Sequence, residues 1–190
     1  KYFISAPFGN YLSFSNQFRD AISVTGSWTL HPRPGLAWQI LKTLRYVKGE
    51  GGWCWRNKIG LRNAGVKEGL KRSRYFDVMS LAAIDRYDWI NLDSIVPEKQ
   101  NVEINISCPN LDKDVGASEL PGFELWPTYG RYWCICKIPP TSSNKLVDRT
   151  VELGYNQIHA SNTLPTEKGG LSGRVLVPHT LRLIEYIKKT

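Results

Sequence analysis

Cysteine is scarce in this chain, four in 190 residues, and none of the four is placed for a disulfide scaffold. No Cys-x-x-Cys pair and no Cys/His cluster occurs, which argues against a zinc or iron–sulfur site. Cys134 and Cys136 alternate along one predicted strand, so they share a face, cannot easily bridge each other, and read as core or site-facing thiols. Histidine is equally thin: His31, His159 and His179 are scattered, and His159 in Gln157-Ile158-His159-Ala160 reads as a satisfied interior residue rather than a ligand. No apolar run approaches the roughly 20 residues of a membrane span. The start, Lys1-Tyr2-Phe3-Ile4-Ser5-Ala6, lacks the apolar stretch of a signal peptide, so a cytoplasmic protein without a membrane partner is expected. No internal repeat or low-complexity segment stands out.

What is present is enough for a core. An apolar content of 42% with many aromatics argues for a globular chain rather than a disordered one, and 190 residues suit one domain, 1–190. The formal net charge of +8 suits an anionic partner. Lys42, Arg45, Lys48, Lys71, Arg72, Arg74, Lys188 and Lys189 are spread over predicted helices and their ends, the pattern of a solvated surface more than of a nucleic-acid groove. A phosphate-bearing cofactor or a carboxylate substrate would benefit from the same field.

The elements alternate as strand then helix, the signature of a parallel sheet covered by helices. Strands are predicted at Tyr2–Ser5, Ala21–Thr25, Asp77–Leu81, Val102–Ile106, Trp133–Lys137 and Gln157–Ala160. Helices are predicted over Leu36–Val47, with Leu36, Ile40, Leu44 and Val47 on one face, and over Asp88–Ile95. Two more follow at Ser142–Leu153, capped by Ser142 or Ser143, and at Thr180–Lys188, with Leu181, Ile184 and Ile187 spaced for burial. Glu50-Gly51-Gly52 breaks the first helix, and Leu111–Arg131 is a Pro/Gly-rich loop.

The most informative segment is Asn105-Ile106-Ser107-Cys108-Pro109-Asn110, where a buried strand ends in two amides and a thiol. Strand ends are where parallel α/β folds build their sites. Spacing alone leaves two readings open: a strand running into an Asx-Pro turn with one buried cysteine, or a base beside a substrate held by amides.

This hexapeptide resembles the active-site loop of the dihydroorotate dehydrogenases, FMN-dependent enzymes of pyrimidine (UMP) synthesis built on a (β/α)₈ barrel. Upstream, Asn57-Lys58-Ile59-Gly60-Leu61-Arg62-Asn63 resembles the family's Asn-x-Met-Gly-Leu/Phe-x-Asn substrate loop, with Ile59 where methionine is usual. Downstream, Cys136-Lys137-Ile138-Pro139-Pro140 resembles the strand of the flavin-contacting lysine, Ser161-Asn162-Thr163 the next strand end, and Gly169-Gly170-Leu171-Ser172-Gly173 a Gly-Gly-Leu-Ser-Gly loop. The segments stand in the family's order, from about Ser5 to the last residue. The resemblance implies a (β/α)₈ TIM-barrel type, here cut to about six β/α units against the eight strands and about 250 residues of a complete barrel. The chain is therefore expected to be a fragment, a processed product or a short relative.

By the same resemblance Cys108 is the base that takes the C5 proton of dihydroorotate while the C6 hydride passes to the flavin. Asn57, Asn105, Asn110 and Asn162, with Ile59, Gly60, Leu61 and Thr163, would bind the substrate. Ala6, Thr25, Gly26, Ser27, Asn105, Lys137, Asn162, Gly169, Gly170, Ser172 and Gly173 would contact FMN, Lys137 stabilising the arriving negative charge. Cysteine rather than serine at position 108 resembles the class 1 branch, for which fumarate or NAD is the expected electron acceptor, and a homodimer would cover exposed sheet edges. The chain departs from the family at Thr25-Gly26-Ser27, where Thr-Lys-Ser/Thr is usual, so Gly26 removes a charge. Two other readings stay open: a related flavin barrel acting on another pyrimidine or enone, and a non-catalytic homologue that binds a nucleotide or a protein. Trp28, Trp53 and Trp55 lie near the site segments, and whether they line a pocket or an interface is also open.

Overall fold

The computed structural model describes residues 1–6, 8–11, 18–72, 77–85, 87–107, 122–127 and 130–190. In chain order the elements are β1 (Tyr2–Ile4), α1 (Phe8–Tyr11), β2 (Ala21–Trp28), α2 (Leu36–Thr43), β3 (Arg45–Gly49), β4 (Gly52–Asn57), α3 (Val66–Arg72) and β5 (Val78–Leu81). Then come α4 (Asp88–Ile95), β6 (Val102–Asn105), β7 (Cys134–Ile138), α5 (Asn144–Glu152), β8 (Gln157–Ala160), β9 (Leu164–Thr166), β10 (Gly169–Gly173) and α6 (Val177–Ile187).

The strands of the strand–helix rhythm form one parallel sheet of six, in the order β1-β2-β5-β6-β7-β8, which curls as half of a barrel. Its central strands are buried on both faces: every residue of Val78–Leu81 and of Val102–Asn105 is shielded. Alternation sorts their side chains. Met79, Leu81, Val102, Ile104, Cys134, Cys136 and Ile138 point to the main core, where Trp89, Leu92, Val147 and Leu183 of the helices meet them. Ile22, Val24, Val78 and Ile135 point the other way into a smaller apolar cluster with Phe3 and Trp133. Each such aliphatic side chain withdrawn from water stabilises the fold by about 1.5–3 kcal/mol. Cys134 and Cys136 are thus core thiols rather than site thiols, and burial pushes both up to about 12.

Helix α5 begins where Ser143 caps it, its hydroxyl accepting from the Leu146 amide at 3.3 Å. Helix α6 starts three residues before the predicted Thr180 and buries a different face. Leu183 is fully buried with Tyr186 and Ile187 beside it, whereas Leu181 and Ile184 are 52% and 37% exposed. Leu183, Tyr186 and Ile187 stand at i, i+3 and i+4, an equally good stripe that the sheet selects.

A second, antiparallel sheet, in the order β3-β4-β10-β9, is a departure from the sequence reading. The helix predicted through Val47 stops at Thr43, because Arg45–Lys48 pairs with Trp53–Arg56 in a hairpin. Tyr46, Val47, Trp53 and Trp55 favour a pleated surface, and Gly51, at φ +80°, supplies the left-handed residue of the turn. Gly169–Gly173, read as a loop, is strand β10 between β4 and β9. Among the described residues no helix is long and apolar enough to cross a membrane.

Candidate active site at the parallel strand ends

The interior face of the parallel sheet changes character along its length. Below are Val24 and Val78; above them come Ser80 and Glu103, level with Ile135, then Asn105, Lys137 and His159, which the register sets side by side. Polar side chains at the carboxyl ends of parallel strands therefore sit on an apolar floor, the arrangement in which charge interactions are least screened.

Hydrogen bonds run through this layer in one direction. Asn105 Nδ2 donates to Ser27 Oγ at 2.7 Å, Ser27 and Ser80 meet at 2.9 Å, and Ser80 Oγ donates to Glu103 Oε1 at 2.7 Å. On the other side Asn105 Oδ1 accepts from Ser107 Oγ at 2.6 Å, and Ser107 Oγ accepts from Asn162 Nδ2 at 2.8 Å. Asn162 Oδ1 in turn accepts from the Thr163 amide at 2.8 Å. The ends of β2, β6 and β8, far apart in sequence, are thereby one unit.

Glu103 is 1% exposed and lies at the centre. His159 Nδ1 lies 2.6 Å from its Oε2 and donates to it, since an ionised carboxylate only accepts, while Lys137 Nζ stands 3.9 Å from Oε1. Burial works to raise the Glu103 carboxyl, but the hydrogen bond from His159, the Lys137 charge and the Ser80 hydroxyl outweigh it and hold the group below its ordinary value. The sequence reading gave Glu103 no role and took His159 for a satisfied interior residue, without naming the Glu103 carboxylate that satisfies it. A charged residue inside the apolar run Val102–Ile106 was the available signal.

Beside the network opens a cavity of about 920 Å³. Leu36 and Ile40 of α2, with Leu44 just past its end, form one apolar wall, and Trp55, Ile59 and Leu61 continue it. Ala6, Thr25, Gly26 and Ser27 contribute from the ends of β1 and β2, Asn57 and Ser172 from the second sheet, and Arg62 and Arg72 add positive charge. Of the tryptophans left open, Trp55 and the largely buried Trp28 both line this cavity, Trp28 packing into the core as well, and Trp53 lies exposed with its ring stacked on Tyr46 at 5.0 Å.

Some predicted residues act first on the backbone. Asn57 Oδ1 accepts from the Ile59 amide at 3.3 Å, and Gly60 and Leu61, at φ +56° and +33°, form a left-handed bend. Asn63 holds that bend, donating to Leu61 O at 2.7 Å and accepting from the Gly65 amide at 2.7 Å. A Cβ on Gly169 would strike Asn57 O, and one on Gly170 would meet Thr163 Oγ1 at 2.6 Å, so these glycines let β10 lie close to β4 and the β8 end. At Gly173, φ is +117° and the nearest neighbour is Cys54. At Gly26, φ is +106° and a Cβ would lie 2.5 Å from Ser80 O, so no lysine fits this backbone. Its amide donates to Asn10 Oδ1 at 2.7 Å. Cys108 and Asn110 lie outside the described residues.

With this geometry in hand, comparison with known proteins gives one relationship. No family model matches the chain. It is 26% identical over 192 residues to the protein named dihydroorotate dehydrogenase B (NAD(+)), catalytic subunit, of Endomicrobium trichonymphae. That similarity supports a relationship to the dihydroorotate dehydrogenases. It covers 85% of this chain, and the chain spans 60% of the length of that relative. Among the described residues, no group of three or more His, Cys, Asp and Glu side chains is arranged to hold a metal ion.

Proposed function

We propose that the chain is an oxidoreductase of pyrimidine biosynthesis that takes dihydroorotate to orotate with FMN. The observation that carries this reading is the joining of Ser27, Asn105, Ser107 and Asn162 in one hydrogen-bonded unit beside an apolar-walled cavity. A planar ring system with polar edges fits such a site: apolar side chains can cover its faces, while amides offer both donors and acceptors to its rim. When bound, FMN supplies the hydride acceptor.

The chain's own residues do the rest. Asn57, Asn105, Asn110 and Asn162 hold the pyrimidine and its carboxylate, with Ile59, Gly60, Leu61 and Thr163 shaping the rim. Ala6, Thr25, Gly26, Ser27 and Ser172 bound the cofactor space, and Gly169, Gly170 and Gly173 keep the second sheet close to it. Lys137 stabilises negative charge. Cys108 takes the C5 proton, for which it must be a thiolate. The relative's name carries NAD(+) and a catalytic subunit, which favours NAD over fumarate as the acceptor and favours assembly with a further polypeptide. The class 1 branch and a cytoplasmic setting belong to the same reading.

An absorption spectrum of the purified protein, followed by anaerobic dihydroorotate, tests this. A flavin spectrum that bleaches is expected; a protein that stays colourless with added FMN sinks the proposal. Gly26 favours a second reading, a related flavin enzyme acting on another pyrimidine or enone, because the family's cation has no place on this backbone. A substrate screen in which dihydroorotate alone is oxidised excludes it.

A further inference from the structure

A carboxylate in the interior must be matched by donors, because an unmatched buried charge is strongly destabilising. Glu103 has two oxygens and three neighbours competing for them. Ser80 Oγ donates to Oε1 at 2.7 Å and His159 Nδ1 to Oε2 at 2.6 Å, the lengths of short charge-assisted hydrogen bonds. Lys137 Nζ is 3.9 Å from Oε1, beyond hydrogen-bond reach. Glu103 therefore attracts the lysine without gripping it.

The strand register explains how. Asn105, Lys137 and His159 are direct neighbours across β6, β7 and β8, while Glu103 sits one layer below, level with Ser80 and Ile135. From that lower layer the carboxylate extends past β7 to meet His159 on β8. The imidazole, fixed to its own strand, takes one oxygen, and Ser80, fixed to β5, takes the other. Were the imidazole lost, the nearest donor able to replace it is the Lys137 ammonium on its flexible stem.

We infer that His159 is a positioning residue: with Ser80 it satisfies Glu103, so that the Lys137 ammonium is held near the strand ends yet stays free to meet an anionic group of the ligand. This rests on reading the strand ends as the ligand site. It concerns a residue to which the family resemblance gives no role. His159 acts through Glu103 and Lys137 and need not touch the ligand.

Reductive methylation of the native full chain reads the freedom of Lys137 without cofactor or substrate. Peptide mass spectrometry follows Lys137, with the exposed Lys145 as reference. In His159→Leu, Lys137 closes onto Glu103, and its methylation relative to Lys145 is expected to slow about tenfold, the scale of one added bond to a charged group. His159→Gln, whose amide can donate to Oε2, restores the wild-type rate. Orotate affinity, measured with FMN present, follows the same order. Ser80→Ala removes the donor on the other oxygen and slows Lys137 in the same direction, which keeps the inference testable should His159→Leu fail to fold. Equal Lys137 labelling in wild type and in the folded variants overturns it. A wild-type chain that binds no orotate, with Lys137 labelling still following the variants, rejects the proposed reaction and leaves the positioning role standing.

Discussion

Lys137 and His159 are direct neighbours in the register of β7 and β8, and above the Glu103 carboxylate His159 is hydrogen-bonded to it at 2.6 Å while Lys137 stands off at 3.9 Å. Two potential cations thus share one buried anion at the carboxyl ends of the sheet. Deeper than Glu103 the sheet is apolar, where Val24 and Val78 pair in register and pack with Ile22. Stability and ligand chemistry are therefore divided by depth along one set of strands.

The depressed Glu103 carboxyl makes stability pH-dependent with a definite sign. Because the folded-state value lies below the unfolded one, the stabilisation is fully present above the unfolded glutamate value of about 4.3 and is lost as the pH falls through the folded value. Urea unfolding of wild type and Glu103→Gln should differ most near neutrality and converge in acid. A difference that grows on acidification would contradict the assignment.

The cysteines should separate by reactivity. At pH 8 a thiol pushed up to about 12 is thiolate in only about one molecule in ten thousand. Native protein treated with iodoacetamide should leave Cys134 and Cys136 unmodified until denaturant is added. The proposed base Cys108 should react first, and orotate should protect it. Cys108→Ala should abolish dihydroorotate oxidation while FMN binding persists; unchanged turnover would remove Cys108 from the mechanism.

Gly26→Ala should destabilise the fold, because φ is +106° and the new methyl meets Ser80 O at 2.5 Å. A cost of about 1–3 kcal/mol is expected for a side chain forced into that conformation. The midpoint of urea unfolding reads it. A neutral Gly26→Ala would mean that the β2 end can be rebuilt to accept a side chain, including the family's lysine.

Ser143→Ala isolates a cap from the site. Loss of the bond to the Leu146 amide should cost about 1 kcal/mol and lower the melting temperature by about 2–4 °C for a chain this long. Orotate and FMN affinity should not change. A large loss of binding would show that α5 is coupled to the strand ends more tightly than its packing implies.

The parallel half of this fold was legible because its strands are short apolar runs bounded by turn residues, and Asp88–Ile95 and Gln157–Ala160 stand as read. The antiparallel sheet was hidden because Leu36, Ile40, Leu44 and Val47 fit a helical period up to a hairpin whose strands alternate as well. In the structure the first three line the cavity, while Val47 belongs to β3. The segments joined at the strand ends could be named through their likeness to a family. The Glu103–His159 contact could not, since the two residues lie 56 positions apart and meet only when β6 and β8 flank β7.

Trp55 faces the cavity on one side and is 49% exposed on the other. Its indole is therefore a built-in optical gauge: a chromophore entering the cavity would quench its emission by energy transfer, whereas buried Trp89 and Trp126 supply a steadier background from within the core. Occupancy of the strand ends can then be followed by light from the protein itself, with no label attached.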